Sequence, residues 1–246
     1  MDNLSTMKRI TALTLPLALA ISQPVSAASL LTGGHIDGPA FGYISAADAL
    51  SDPLLTQGFE PHFHNEGGPD GAIIDGVRQE TESEFDPDDL IVVVGLTSTT
   101  TLGATSYYLL PETETAAATN NVPFLGIGLE ELTAADWAGG IVTLTLLSHV
   151  GPGEFRLWQD DGLGGAIDFI HTDGGPMSFN IAAGTHTHYN WGFTELGIHE
   201  LEFQISGTHV VDNEQIGAAT YTFAVPEPST TLLGALGALA LLRRRR

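Results

Sequence analysis

His199-Glu200-Leu201-Glu202-Phe203-Gln204-Ile205 alternates apolar and polar residues, and successive side chains of a β-strand point to opposite faces. Leu201, Phe203 and Ile205 therefore share a face suited to a core, while Glu200, Glu202 and Gln204 turn to water. Six further short runs of β character surround this one, at 90–94, 106–110, 141–147, 154–158, 177–181 and 220–225, separated by Gly, Pro, Asn and Asp. Neither a long amphipathic helical repeat nor an internal repeat accompanies them. Together the seven runs predict an all-β fold, an antiparallel β-sandwich of Ig-like or jelly-roll-like kind. Two short helices fit the pattern, at 45–50 ahead of Asp52-Pro53 and at 130–137 ahead of Gly139-Gly140. The N-terminal part, 30–89, is loop-rich and is expected to wrap the sandwich rather than form a domain of its own.

Composition narrows the chemistry. The chain has 246 residues, 43% of them hydrophobic, with 29 Gly, which suffices to bury a core and to turn often. It has no Cys, so disulfides, thiolate catalysis and Cys-based zinc or iron–sulfur sites are excluded. Against 30 acidic residues stand 8 basic ones, a net charge of −22. Such a surface repels phosphate backbones and anionic lipid, so neither nucleic acid nor a charged membrane face is an expected partner.

The two ends read as addresses. Met7-Lys8-Arg9, an apolar stretch over 10–21 and Val25-Ser26-Ala27 place small residues three and one before a cut after Ala27, the pattern of a secretory signal peptide over 1–27 that signal peptidase removes. Met7 would serve as well as Met1 for the start. At the other end Val225-Pro226-Glu227-Pro228-Ser229 leads into an apolar segment over 230–242 and then Arg243, Arg244, Arg245 and Arg246. The apolar run falls short of the ~20 residues that span a bilayer comfortably, and the arginines would be held on the cytoplasmic side. This tail, 225–246, resembles the PEP-CTERM sorting signal rather than a plain membrane anchor. The resemblance implies transient insertion in the inner membrane of a Gram-negative bacterium and cleavage near Pro226-Glu227-Pro228 by the protease exosortase. The remainder would then pass to the cell surface or extracellular matrix. Taking Asp2 and Glu227 from the 30 acidic residues, and Lys8, Arg9 and the four terminal arginines from the 8 basic ones, leaves 28 carboxylates against Arg78 and Arg156, a charge of −26. Self-repulsion on that scale calls for salt or bound cations, so a saline habitat and a cation-binding role both fit.

Nine histidines include two His-x-His pairs, His62/His64 and His186/His188. On an extended strand residues two apart face the same way, so each pair can offer two imidazoles to one ion. Glu60 and Glu66 flank the first pair, and His35 with Asp37 in Gly33-Gly34-His35-Ile36-Asp37-Gly38 forms a third cluster. Imidazoles and carboxylates gathered in one small domain suit Zn²⁺ or another divalent transition metal. With the same i, i+2 spacing, the pairs are expected to converge. His149, His171, His199 and His209 stand alone and are expected to be structural. A cupin would need a carboxylate four or five residues after its second His, whereas Glu66 follows His64 by two. No Gly-x-Ser-x-Gly elbow supports a serine hydrolase. The acidic stretches 84–89 and 160–164 offer oxygen donors for Ca²⁺, but neither fits an EF-hand loop, so Ca²⁺ is the lesser expectation.

The segment Gly184-Thr185-His186-Thr187-His188-Tyr189-Asn190-Trp191-Gly192-Phe193, with Gly197 beyond it, resembles the signature of the surface-anchored choice-of-anchor M family. Gly34-His35-Ile36-Asp37, Phe124-Leu125-Gly126 and Gly151-Pro152-Gly153 ahead of Trp158 agree with it, so the resemblance runs over most of 28–224. His199 departs from it, standing where the family usually has an aromatic. The resemblance implies surface display and metal capture, with His35, Asp37, His186 and His188 as ligands. His62 and His64 rest on spacing alone. The sequence thus predicts an exported binding or structural module that holds a divalent metal, its partners extracellular polysaccharide or surface components. A metal-dependent enzyme acting on matrix glycans and an acidic Ca²⁺-binding adhesin remain as alternatives.

Overall fold

The structure is a computed structural model describing residues 28–227. The signal peptide expected at 1–27 and the sorting tail from Pro228 onward, with its four arginines, lie outside the described residues. Strands β1 (Ser29–Gly33), β2 (His35–Ile44) and β3 (Gly58–Asn65) are followed by the short β4 (Ile73–Ile74), β5 (Val77–Arg78) and β6 (Ser83–Phe85). Next come β7 (Leu90–Val93), β8 (Thr99–Leu102), β9 (Thr105–Leu110) and β10 (Phe124–Gly128). Then β11 (Ile141–Val150), β12 (Phe155–Asp160), β13 (Ala166–His171) and β14 (Ser178–Ala182) lead to β15 (His186–His188) and β16 (Asn190–Phe193). Last are β17 (Gly197–His209) and β18 (Asn213–Val225). Helices α1 (Ala46–Ser51) and α2 (Glu114–Asn120) are the two α-helices among the described residues.

The strands build one eight-stranded sheet, β14-β11-β17-β18-β7-β1-β4-β5, and two five-stranded sheets, β15-β10-β2-β3-β6 and β13-β12-β16-β9-β8. Alternation on β17 works as the sequence predicts, with Leu201, Phe203 and Ile205 all fully buried and Glu200 exposed. Their face and that of β18 receive both smaller sheets. Phe63 on β3 meets Tyr221 edge-on at 5.1 Å, and Trp191 on β16 lies 5.6 Å from Phe223 and 6.0 Å from Phe203. Trp191 also donates its indole N–H to the Leu125 carbonyl of β10 at 3.3 Å. The chain crosses between the smaller sheets through the one residue, Tyr189, that separates β15 from β16. One continuous apolar core results, a sandwich whose second layer is shared by two sheets.

Three expectations are refined. Pairing is mostly antiparallel, but β1 with β7, β7 with β18, and β2 with β10 run parallel. A parallel neighbour needs a long return connection, and the elements after β2 and β1 supply it. The loop-rich segment 30–89 keeps its loops, yet it also contributes β1 to β6 to two of the sheets. The helix expected at 130–137 is instead a loop with 3₁₀ turns at Ala134–Asp136 and Ala138–Gly140. Backbone bonds from Leu129 to Thr185 and from Gly184 to Leu129 hold its start against β15, and positive φ at Gly139 (71°) and Gly140 (67°) breaks any regular continuation. The helix at 45–50 is present, shifted by one residue, with the Ser45 hydroxyl accepting from the Asp48 amide at its N-terminus.

His149 on β11 and His199 on β17 form a stacked pair, with His149 Nε2 3.0 Å from His199 Nδ1. His199 Nε2 lies 3.1 Å from the Glu195 carbonyl. When His199 donates to that carbonyl, its Nδ1 is left to accept from His149, so both rings fit as neutral species. Burial, and then the neighbouring imidazole, lowers the His149 pKa to about 4 from its ordinary 6.5. Burial likewise lowers that of His199.

Two outcomes follow. Phe203→Ala is expected to destabilise by about 3 to 5 kcal/mol, against about half a kcal/mol or less for the exposed Glu200→Ala, in denaturant titration. Glu202 is a poorer control because it accepts a 3.0 Å bond from Ser148. Between pH 6.5 and about 4 the unfolded state takes a proton that folded His149 refuses, so stability falls on acidification through that window. His149→Phe should flatten the dependence of Tm on pH there, and an unaltered slope would reject the assignment.

Candidate metal centre

Strand alternation sends Ile36, Phe63, Leu125 and Ile127 into the core, each at 0% exposure. Their neighbours His35, Asp37, His62, His64, Gly126 and Gly128 consequently occupy the outer face of the sheet β15-β10-β2-β3-β6. Register aligns them in rows. Glu84 on β6 pairs with His64, His64 with Asp37, Asp37 with Gly126, and Gly126 with His188. A second row runs from His62 through Ala40 and Gly128 to His186. An irregularity in β2 between Asp37 and Ala40 brings the second row into line. All six residues named as candidate ligands from the sequence thus share one face.

The glycines of β10 make room for them. A Cβ on Gly126 would lie 1.8 Å from Asp37 Oδ1 and 2.9 Å from His188 Cε1, and one on Gly128 would lie 3.0 Å from Asp37 Cβ. A side chain at 126 would occupy the place where the carboxylate sits. Phe124, at the start of the same strand, stacks on His188 with centroids 3.6 Å apart and lies 5.1 Å from His35. These contacts fix the two rings side by side, 4.9 Å between centroids.

The donors that lie mutually within 4.8 Å fall into three groups among the described residues: His35, Asp37 and His188; Asp37, Glu66, Glu130 and His186; and His62, His64, Glu84 and Glu131. The first is the most enclosed. Asp37 is 0% exposed, and neither of its carboxylate oxygens has a hydrogen-bond partner. His35 Nε2 stands 3.7 Å from Asp37 Oδ1, longer than a hydrogen bond, and His35 Nε2 and His188 Nδ1 are buried and unpartnered as well. Removing a carboxylate from water without a partner is costly, and a cation held against it offsets the cost. His186 contacts Glu130 closely through Nδ1 and lies 4.0 Å from Glu66, nearer the surface.

Electrostatics separate the two rings of the enclosed group. Burial is the largest influence on His188 and, despite the neighbouring Asp37, lowers its pKa to about 4. This keeps the ring neutral, the form that ligates metal. Burial also opposes charge on His35, but the Asp37 carboxylate, with Glu66 and Glu114 beyond, outweighs it and raises the pKa. A divalent ion placed against Asp37 would supply the positive charge that these carboxylates otherwise draw from His35.

Sequence reasoning missed Glu130 and Glu131. Both belong to the segment read as a helix, and only the loop's path over the sheet edge brings them to the histidines. Of the candidate Ca²⁺ ligands, Glu84 joins the His62/His64 group. Asp161 Oδ1 instead accepts the amides of Leu163 and Gly165 at 2.7 and 2.8 Å, holding its own turn. The solitary histidines have structural neighbours: His171 contacts Glu154 and Asp168, and His209 Nδ1 accepts from the Asp212 amide.

Residues 224–246 match the PEP-CTERM protein-sorting motif. No curated protein and no solved structure matches the chain. The motif marks an exported protein processed by exosortase and sorted to the cell surface. No helix among the described residues is long and apolar enough to cross a membrane. Strand β18 ends at buried Val225, and Pro226 and Glu227 are exposed beyond it, so a cut there leaves the sheet whole. The intact mass of protein released by the native host is expected to correspond to a C-terminus close to Val225, and Arg246 on the released protein would reject this.

Proposed function

We propose that this protein is an exported surface or matrix module that captures a divalent transition metal on the outer face of its five-stranded sheet. The observation that carries the reading is the fully buried Asp37 carboxylate, both oxygens unpartnered, beside two equally unpartnered imidazole nitrogens of His35 and His188. Two nitrogens and one carboxylate suit a Zn²⁺-like ion, whereas Ca²⁺ takes six to eight oxygens. The resemblance to choice-of-anchor M proteins, which implies metal capture at the surface, supports the same donors. The acidic surface adds a favourable field for cations. Binding to extracellular polysaccharide or other surface components completes the role as a matrix module.

Elemental analysis of the protein purified without a histidine tag is expected to find at least one zinc-like ion per chain, released on acidification as protons compete for the imidazole and carboxylate donors. Asp37→Asn should weaken binding at least ~10-fold, the lower end of what even supporting residues of metal sites cost. The same change removes an unpartnered buried charge, so the metal-free variant is expected to melt no lower than the metal-free parent. Metal-free protein under saturating Zn²⁺ would overturn the reading. Turnover of a glycan panel by the loaded protein would make it a metal-dependent hydrolase, a role that three protein donors and an open position also allow.

A further inference from the structure

We infer that the same face holds a second, separate cation, bound by His62 Nε2, His64 Nδ1 and Glu131 Oε1 with Glu84 as a further donor. This rests on reading the sheet as a metal-binding face, but it uses none of the donors of the His35, Asp37 and His188 group.

The state of His62 carries the argument. Its Nδ1 lies 3.0 Å from the Glu60 carbonyl, an acceptor to which the ring can only donate. In the neutral ring that bond leaves Nε2 with a bare lone pair, the tautomer that ligates metal. Nε2 is buried and makes no hydrogen bond, yet Glu131 Oε1 stands only 3.2 Å from it. The same oxygen is 3.5 Å from His64 Nδ1, also buried and without a hydrogen bond. A carboxylate oxygen thus faces two imidazole nitrogens at close range without hydrogen-bonding either, an arrangement that a shared cation satisfies. The spacing fits one: ligands 2.0 to 2.1 Å from a tetrahedral ion stand about 3.3 to 3.4 Å from each other.

The surroundings differ from those of the first group. Ala40 and Gly128, the small residues of the row between His62 and His186, leave a groove of about 370 Å³ that reaches His62, His64, Glu66, Glu82, Glu130 and Glu131. Glu131 is 40% exposed at its side chain, whereas Asp37 is fully buried. An ion here exchanges with solvent through the groove more readily than one on Asp37, giving the face one firm and one labile position.

The test is a titration of chelator-stripped full-length protein with Zn²⁺ alone, read by competition with a chromophoric chelator and by elemental analysis. Two ions per chain are expected, the second at least ~10-fold weaker. The double variant His62→Ala/His64→Ala should keep the tight ion and lose the weak one, and His35→Ala/His188→Ala should do the reverse. Glu131→Gln, at a half-exposed loop position that does not threaten folding, should weaken only the second ion, with far-UV circular dichroism confirming the fold of each variant. One ion in the parent, abolished by either double variant, would mean a single shared site; this overturns the second ion and leaves the proposed function standing. Two ions still present in His62→Ala/His64→Ala would place the weak one elsewhere and overturn the inference. No ion at all overturns both readings.

Discussion

A strand can give only every second side chain to each face, and in β2, β3, β10 and β15 that constraint settles both stability and chemistry. Ile36, Phe63, Leu125 and Ile127 must go inward to close the core against β17 and β18, so His35, Asp37, His62, His64, His186 and His188 have no choice but the outside. A one-residue slip in β2 or β3 would send an imidazole or a carboxylate into the aromatic core and a large apolar side chain into water. The core therefore guards the register of the donor rows. Trp191, Phe203, Tyr221 and Phe223, all fully buried, supply the burial needed to hold a layer whose outer face carries unpartnered polar atoms.

How much of this is legible in the sequence depends on which interactions are local. Alternation is local, and each of the seven strand runs is present as a strand, within a few residues of its expected ends except that β18 begins at Asn213, well ahead of the run at 220–225. The i, i+2 spacing of the His pairs is local too, and it places both rings of each pair on one face. Pairing partners are not local. Nothing in Phe124-Leu125-Gly126-Ile127-Gly128 says that it lies between β2 and β15, although its glycines make sense once Asp37 is found above them. Glu130-Glu131 carries helix-compatible residues ahead of a Gly pair, and the backbone bonds of Leu129 to Gly184 and Thr185, just before β15, decide against the helix at its start. Conversely α2 is a helix that the pattern of short β runs and Gly or Pro breaks does not reveal. Its Ala116-Ala117-Ala118 run has high helix propensity, and Asn121 ends it in the left-handed conformation (φ 52°) that Asn tolerates.

Charge imposes a second constraint. Between the two addresses Arg78 and Arg156 are the only permanent cations, and both are engaged. Arg156 makes a two-pronged pair with Asp168 at 2.7 and 3.0 Å, and Arg78 donates to the Gly71 carbonyl at 2.8 Å. No lysine or arginine remains among the described residues for Glu66, Glu84, Glu130 or Glu131, which crowd the edge of the histidine rows. Their mutual repulsion is relieved by salt at long range, but within about 8 Å, the screening length at physiological ionic strength, it needs a cation in contact. The carboxylates that attract an ion to the groove and those that would ligate it are thus the same residues.

Export would favour a metal site made, as the proposed one is, from imidazole and carboxylate. Thiolates bind zinc well, but outside the cytoplasm they oxidise to disulfides or further, and a chain sorted to the cell surface would carry them through that environment. Histidine and carboxylate survive it. They also ligate less tightly unless their rings are oriented beforehand, which the present arrangement does through Phe124 against His188 and the Glu60 carbonyl against His62. The fold bears the cost of this orientation as unpartnered buried atoms, and an ion bound as proposed would recover it, because an ion that binds the folded state alone adds RT ln(1 + [ion]/Kd) to stability. The candidate donors come from β2, β3, β6, β15 and the loops after β3 and β10, elements far apart in sequence, so the complete set exists only once the sheet has formed. On the proposed function, the metal would therefore be bound only by the folded sheet, not by the chain before the strands have paired.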